Sequence, residues 1–174
     1  MVCFPVNLKR QKMKNNLKDN ILNALIAQRG ELVKRLVSFV STDTILFLSE
    51  CQIAENMLRL VNNLLCVDFV MAEGLNIPPK NLVQTEIVER YLLSSSAKKT
   101  ALIYLVATEL RSVLLGILWA ENKASNDEVF DCAFFEELQE QKKWGKLPEI
   151  EAKHLEIRNK LADWEMWKNE GSLS

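Results

Sequence analysis

The stretch "ALIYLVATELRSVLLGILW", residues 101 to 119, is the strongest constraint on how this chain can fold. It has the length of a membrane span, yet Glu109 and Arg111 stand near its centre. Inserting those two charges costs roughly 5 to 7 kcal/mol, against about 0.3 to 0.6 kcal/mol gained from each Leu, Ile or Val. The sum is near zero or unfavourable, so no membrane span is expected. A helix apolar on most of its sides must then be surrounded by other helices, which makes 101–119 the expected long central buried helix of a soluble protein.

The rest of the chain supplies those helices. Five Gly and four Pro in 174 residues leave little turn material for a many-stranded β fold, and the chain is long enough to bury a core without metal or disulfide staples. The expected fold is therefore mainly α, a single multi-helix domain over 21–170 with at most one or two short strands, after a basic flexible arm at 1–20 and before a tail at 171–174. Residues 1 to 13 read as irregular. Asn15 to Val40 alternates charged and apolar residues as two helices meeting near Gly30. "STDTILFL" at 41–48 fits either a short extended segment or a tight helical turn. Glu50 to Cys66 carries Ile53, Met57, Leu60, Val61 and Leu64 at spacings of three and four, an amphipathic helix. Val67 to Met71 is strand-like, and Gly74, Pro78 and Pro79 mark a loop before a helix that runs to the serines at 94–96.

After the central helix, Ser125 and Glu128 have capping-box spacing and open a helix of about five turns whose inner stripe is Phe130, Phe134 and Leu138. Gly145 supplies a stop and Pro148 a restart, so a helical hairpin follows. Its second arm sets Ile150, His154, Ile157, Leu161 and Trp164 on one face, with Glu149 to Lys153 and Glu156 to Lys160 as supporting pairs.

Chemistry-bearing residues are sparse. His154 is the one histidine and sits on that apolar stripe, so a core position outweighs a catalytic one. There is no glycine-rich phosphate loop, and Cys3, Cys51, Cys66 and Cys132 are scattered without metal-ligand or redox spacing, as in a reducing compartment. An enzyme is not expected; no catalytic residue, metal, cofactor or small-molecule substrate is assigned. Glu136, Glu137 and Glu140 suit a solvated face or a charged recognition surface better than acid–base chemistry. Trp144 at a helix end reads as half-exposed, whereas Trp119, Trp164 and Trp167 read as core. The basic run Lys9, Arg10, Lys12, Lys14 and Lys18 lacks interleaved aromatics, which argues against nucleic acid as a partner. A small helical nucleic-acid-binding or regulatory protein that uses this arm is nevertheless the alternative reading. The N-terminus has neither the apolar stretch of a signal peptide nor the arginine and serine bias of a transit peptide, favouring a bacterial cytoplasm over a mitochondrial matrix.

Three segments in the same order carry a resemblance: "STDTILF" at 41–47, "FVMAEGLNIP" at 69–78, and "LRSVLLGILWAENKASNDEVFDCAFFEELQEQKKWGK" at 110–146. Together they resemble the ATP synthase F1-ATPase assembly chaperone family, whose members hold the α subunit. The resemblance covers roughly 24–165 and corresponds to that family's helical C-terminal domain, without its N-terminal β-rich domain. It implies a stoichiometric chaperone, without ATP use, that binds the unassembled α subunit and prevents its aggregation until it pairs with β. It further implies a client-binding set of Glu136, Glu137, Glu140, Trp144 and Gly145, and a family-motif loop at Glu73 and Gly74. Lys146 departs from the family, which tends to place an acid after the Trp-Gly.

Overall fold

A computed structural model of the chain describes residues 6–48, 50–72 and 81–170, with side chains from residue 16 onward. The loop residues Glu73, Gly74, Pro78 and Pro79 lie outside the described residues. The described residues form α1 (Val6–Ala27), α2 (Arg29–Phe39), α3 (Gln52–Leu65), α4 (Leu82–Ser94), α5 (Ala97–Leu110), α6 (Val113–Ala120), α7 (Asn126–Ala133), α8 (Phe135–Trp144) and α9 (Pro148–Asn169). Two 3-10 turns, Val40–Thr42 and Thr44–Phe47, join α2 to α3. The fold is mainly α, as the scarcity of Gly and Pro implies, and no strand occurs among the described residues.

Helix α1 begins at Val6, inside the 1–13 segment expected to be irregular, so that expectation is corrected from residue 6 onward. Residues 6–27 contain neither Gly nor Pro, and their Lys, Arg, Gln, Met and Leu are good helix formers, so nothing interrupts the helix. Its Leu22 is buried and Lys18 pairs with Glu170, which ties this end of the chain to the end of α9. The junction with α2 falls at Gln28, close to the expected Gly30. Arg29 there donates to the carbonyls of Leu93 and Ser95, both at 2.6 Å, and so satisfies the C-terminus of α4.

The central segment is two helices rather than one. Arg111 takes a left-handed conformation (φ 54°, ψ 30°) and ends α5; Ser112 then caps α6, its hydroxyl accepting from the Leu115 amide at 3.0 Å. The break is held by Asp43, which lies between the two 3-10 turns. Its carboxylate accepts from Ser112 Oγ at 2.5 Å, from the Leu114 amide at 3.0 Å and from the Ile45 amide at 3.2 Å. The Arg111 carbonyl accepts in turn from Thr44 Oγ1 at 2.7 Å. Periodicity could not reveal this, because every residue of α6 is buried and an all-apolar segment has no face to read. The α5–α6 contact is close: a Cβ on Gly116 would stand 3.2 Å from the Ile103 carbonyl oxygen, so any larger residue would push the two backbones apart by a few tenths of an ångström.

Around this pair lie α1, α2, α3, α7 and α9. "STDTILFL" resolves into the 3-10 turns, and Val67 to Met71, strand-like in sequence, is irregular. The irregular segment is fixed by Asn62, whose side-chain amide both accepts from the Phe69 amide (2.8 Å) and donates to the Phe69 carbonyl (2.9 Å). Ala72 adds one backbone bond to Leu46 at 2.7 Å. No described helix is long and apolar enough to cross a membrane.

Candidate functional site

Ser125 and Glu128 form the expected capping box and start α7. The expected five-turn helix bends once, at Phe134 (φ −108°, ψ 21°), which divides it into α7 and α8. The hydrogen-bond ladder continues through the bend, from Phe134 to Phe130 at 3.0 Å and from Leu138 to Phe134 at 2.9 Å. Phe130 is fully buried, Phe134 is buried and Leu138 is half-buried, in line with the stripe read from the sequence.

These aromatics meet His154 of α9. The imidazole stands edge-on to Phe130 and tilted to Phe134, both at 5.1 Å between centroids. Arg158 lies 3.9 Å from the Phe130 ring centre while donating to Asp127 and Asp131. His154 is buried, and its Nε2 stands 2.9 Å from Glu137 Oε2. A carboxylate can only accept, so Nε2 carries the hydrogen of this bond. The histidine thus pins α8 to α9, and among the described residues Glu137 is its hydrogen-bond partner.

Glu137 is therefore not one of three equivalent outward carboxylates. Its side chain is 37% exposed and committed to His154. Glu136 and Glu140 are exposed and line a groove of about 770 Å³ between α8 and the segment that leads into α3. Phe47 and Phe135 contribute aromatic surface to it, and Glu50 adds a third carboxylate. Sequence reasoning missed Phe47 and Glu50. Their part in the groove depends on the 3-10 turn, which brings residues about ninety positions upstream beside α8; the double aromatic at 134–135 was the only local signal.

The end of α8 projects from the body. Trp144 is 77% exposed, with Lys143 Nζ 4.8 Å from its ring, and Leu147 is also exposed. Gly145 has φ 94° and ψ 166°, a conformation open to glycine alone, so the hairpin turn depends on it. Trp144 and Gly145 are adjacent to each other but stand apart from the groove residues along α8. Lys146 pairs with Glu151 at 2.7 Å, so its charge is partly compensated within the hairpin. Chemically, the arrangement offers an aromatic groove with an acidic rim and a protruding indole. It suits a partner that presents basic and apolar groups.

No family model matches the chain, and no characterised protein matches it in sequence. Its fold does match solved structures. Atp12 from Paracoccus denitrificans superposes with a TM-score of 0.75 over 82% of this chain at 14% identity, and a point mutant of the P. denitrificans protein with 0.79 over 87%, also at 14%. A candidate chaperone from Agrobacterium tumefaciens gives 0.64 over 83% at 17% identity. The chain spans 65%, 68% and 58% of those three proteins, respectively. At these identities the likeness is one of architecture: the chain has the fold of the corresponding portion of Atp12.

Proposed function

We propose that this chain is an assembly chaperone for the F1 part of ATP synthase, and that its client is the unassembled α subunit. The observation that carries this reading is a shared fold with Atp12 combined with an α8 whose two outer carboxylates line an aromatic groove and whose terminal indole, further along the helix, is left exposed. The sequence resemblance, made on separate grounds, points to the same family. An unassembled subunit exposes a large apolar interface and is prone to aggregate; a partner that masks it must bind well yet exchange readily. Half-exposed aromatics ringed by charge suit that task, since apolar contact gives affinity and the rim governs the rates of encounter.

On this reading the client surface comprises Glu136, Glu140, Trp144 and the groove residues Phe47 and Glu50. Glu137 acts from behind, by holding α8 on His154, and Gly145 sets the direction of the tip. The chain works by binding and not by catalysis, and we place it in a bacterial cytoplasm. The nucleic-acid alternative draws less support, because Lys18, the last cation of the basic run, is paired with Glu170.

Co-purification of the tagged chain with separately expressed α and β subunits at moderate salt tests the proposal. Capture of α alone is expected. Capture of neither, by a protein with its full helical spectrum, would leave the shared fold without the shared function.

A further inference from the structure

A second cavity, of about 610 Å³, opens between α2 and the α5–α6 junction. Buried Leu36, Ala107 and Val113 give it apolar walls, and Phe39 lines it while remaining 59% exposed. No carboxylate lines it; Asp43 is close in the chain but buried and occupied by its three donors. Two exposed guanidiniums do line it, Arg35 and Arg111. Neither enters an ion pair among the described residues, and the one polar contact of Arg35 is a long 3.4 Å bond to the Tyr104 hydroxyl. Arg29 and Arg158 are engaged with carbonyls and carboxylates, while exposed Arg59 and Arg90 are likewise without an ion pair among the described residues; what sets Arg35 and Arg111 apart is that both line one cavity.

Two further features narrow the ligand. Arg111 has a left-handed backbone (φ 54°), a conformation that costs a side-chain-bearing residue energy, so an arginine stands where glycine would be relaxed. The hydroxyls of Ser38, Thr42, Thr44 and Thr108 all donate to backbone carbonyls, those of Arg35, Phe39, Arg111 and Tyr104 respectively. With their protons used, these oxygens can only accept further bonds. The cavity therefore presents cationic donors, neutral acceptors, apolar walls and one neutral donor, the Tyr104 hydroxyl, which accepts from Arg35 and keeps its own proton. A fatty acid would meet the guanidiniums but has no donor for the acceptors, and inorganic phosphate, which keeps O–H groups near neutral pH, has nothing apolar to lie against Phe39 and Val113. A peptide has both a carboxylate side chain and backbone N–H groups.

We propose that this cavity receives a segment of a partner protein in which an acidic side chain lies next to an apolar one. The carboxylate sits between Arg35 and Arg111, the apolar side chain lies on Phe39 and Val113, and the segment's amides donate to the threonine oxygens. The cavity's size is that of an ordinary ligand site. The inference stands on the cavity and not on the identity of the α8 client. Thr44 lines this cavity and Phe47 lines the acidic groove, so a single 3-10 turn, rising about 2 Å per residue, separates sites of opposite charge preference.

The test is fluorescence anisotropy of the full chain with a fluorescein-labelled peptide of alternating leucine and aspartate, beside the matching leucine–asparagine peptide. Two variants accompany the wild type: Arg35→Gln, on an exposed position of α2, and Arg111→Gly, which removes a guanidinium where glycine relieves the backbone. The wild type should bind the aspartate peptide at least about tenfold more tightly than the asparagine peptide, and each variant should lose at least about fivefold with an unchanged circular dichroism spectrum. Absence of binding, equal affinity for the two peptides, or wild-type affinity in both variants overturns the proposal. Octanoate binding as tightly as the peptide overturns it too, and would assign the cavity to small amphipathic anions.

Discussion

Helices α6 and α8 are of similar length and opposite character. All eight residues of α6 are buried, whereas none of the ten residues of α8 is. The first is held from every side: by α5 across Gly116, by Asp43 at its N-terminus and by the core around Trp119. The second is held by its continuity with α7, by the Phe134–His154 contact and by the Glu137–His154 bond. One helix therefore specifies the fold, while the other is presented by it. Substitutions should separate the two regions by the kind of measurement they disturb.

The largest effect is expected in the core. Trp119→Ala empties a fully buried site and leaves Asn126 without the indole donor now 2.6 Å away; it should cost about 3 to 5 kcal/mol in a denaturant titration. A loss under about 1 kcal/mol would mean that α6 is not the centre of the core.

Asp43 gives an effect that depends on pH. Burial pushes its carboxyl up from an ordinary 3.8 to about 6, against the lowering influence of the bonds from Ser112, Leu114 and Ile45. Below pH 3.8 the group is protonated in folded and unfolded chains alike, and its contribution to stability is fully present. As pH rises through 6 the unfolded chain has already released the proton that the folded chain retains, so the contribution is lost. The thermal stability of the wild type relative to Asp43→Asn should accordingly decline as pH rises from about 4 to about 7. A difference that grows over that range would contradict the assignment.

Smaller effects belong to α8. Glu137→Gln weakens the tie to His154 and should cost about 0 to 1 kcal/mol, since the carboxylate is partly solvated, while raising amide hydrogen exchange in α8. Unaltered exchange there would show that Phe134 alone holds the helix. Trp144→Ala, at an exposed tip, should change stability by less than about 0.5 kcal/mol; any larger loss would mean that the indole is structural and not presented for a partner.

The same contrast explains what could be read from the sequence. Of the expected α9 stripe, His154, Ile157, Leu161 and Trp164 are buried and Ile150, at the start of the helix, is half-buried; of the two expected pairs Glu156–Lys160 forms at 2.9 Å and Glu149–Lys153 does not, because a helix with two unlike faces records its own orientation but not the rotamers of its exposed ends. The capping box at Ser125 was legible for a similar reason, being a bond between residues three apart. The division of 101–119 was not, because it depends on Asp43, some seventy residues upstream. Glu137 was grouped with Glu136 and Glu140 because a helical wheel cannot see His154 on another helix. The groove escaped for the same reason, since Phe47 and Glu50 reach α8 only through tertiary packing.

The central claim, that α8 exists to be bound, is tested most directly by titrating purified ATP synthase α subunit against the wild-type chain and Glu136→Lys/Glu140→Lys. Glu137 is left in place so that the helix keeps its anchor. The account predicts a loss of about tenfold or more in affinity for α, steeper at low salt, with an unchanged unfolding midpoint. Wild-type affinity in a fully folded double variant would contradict it.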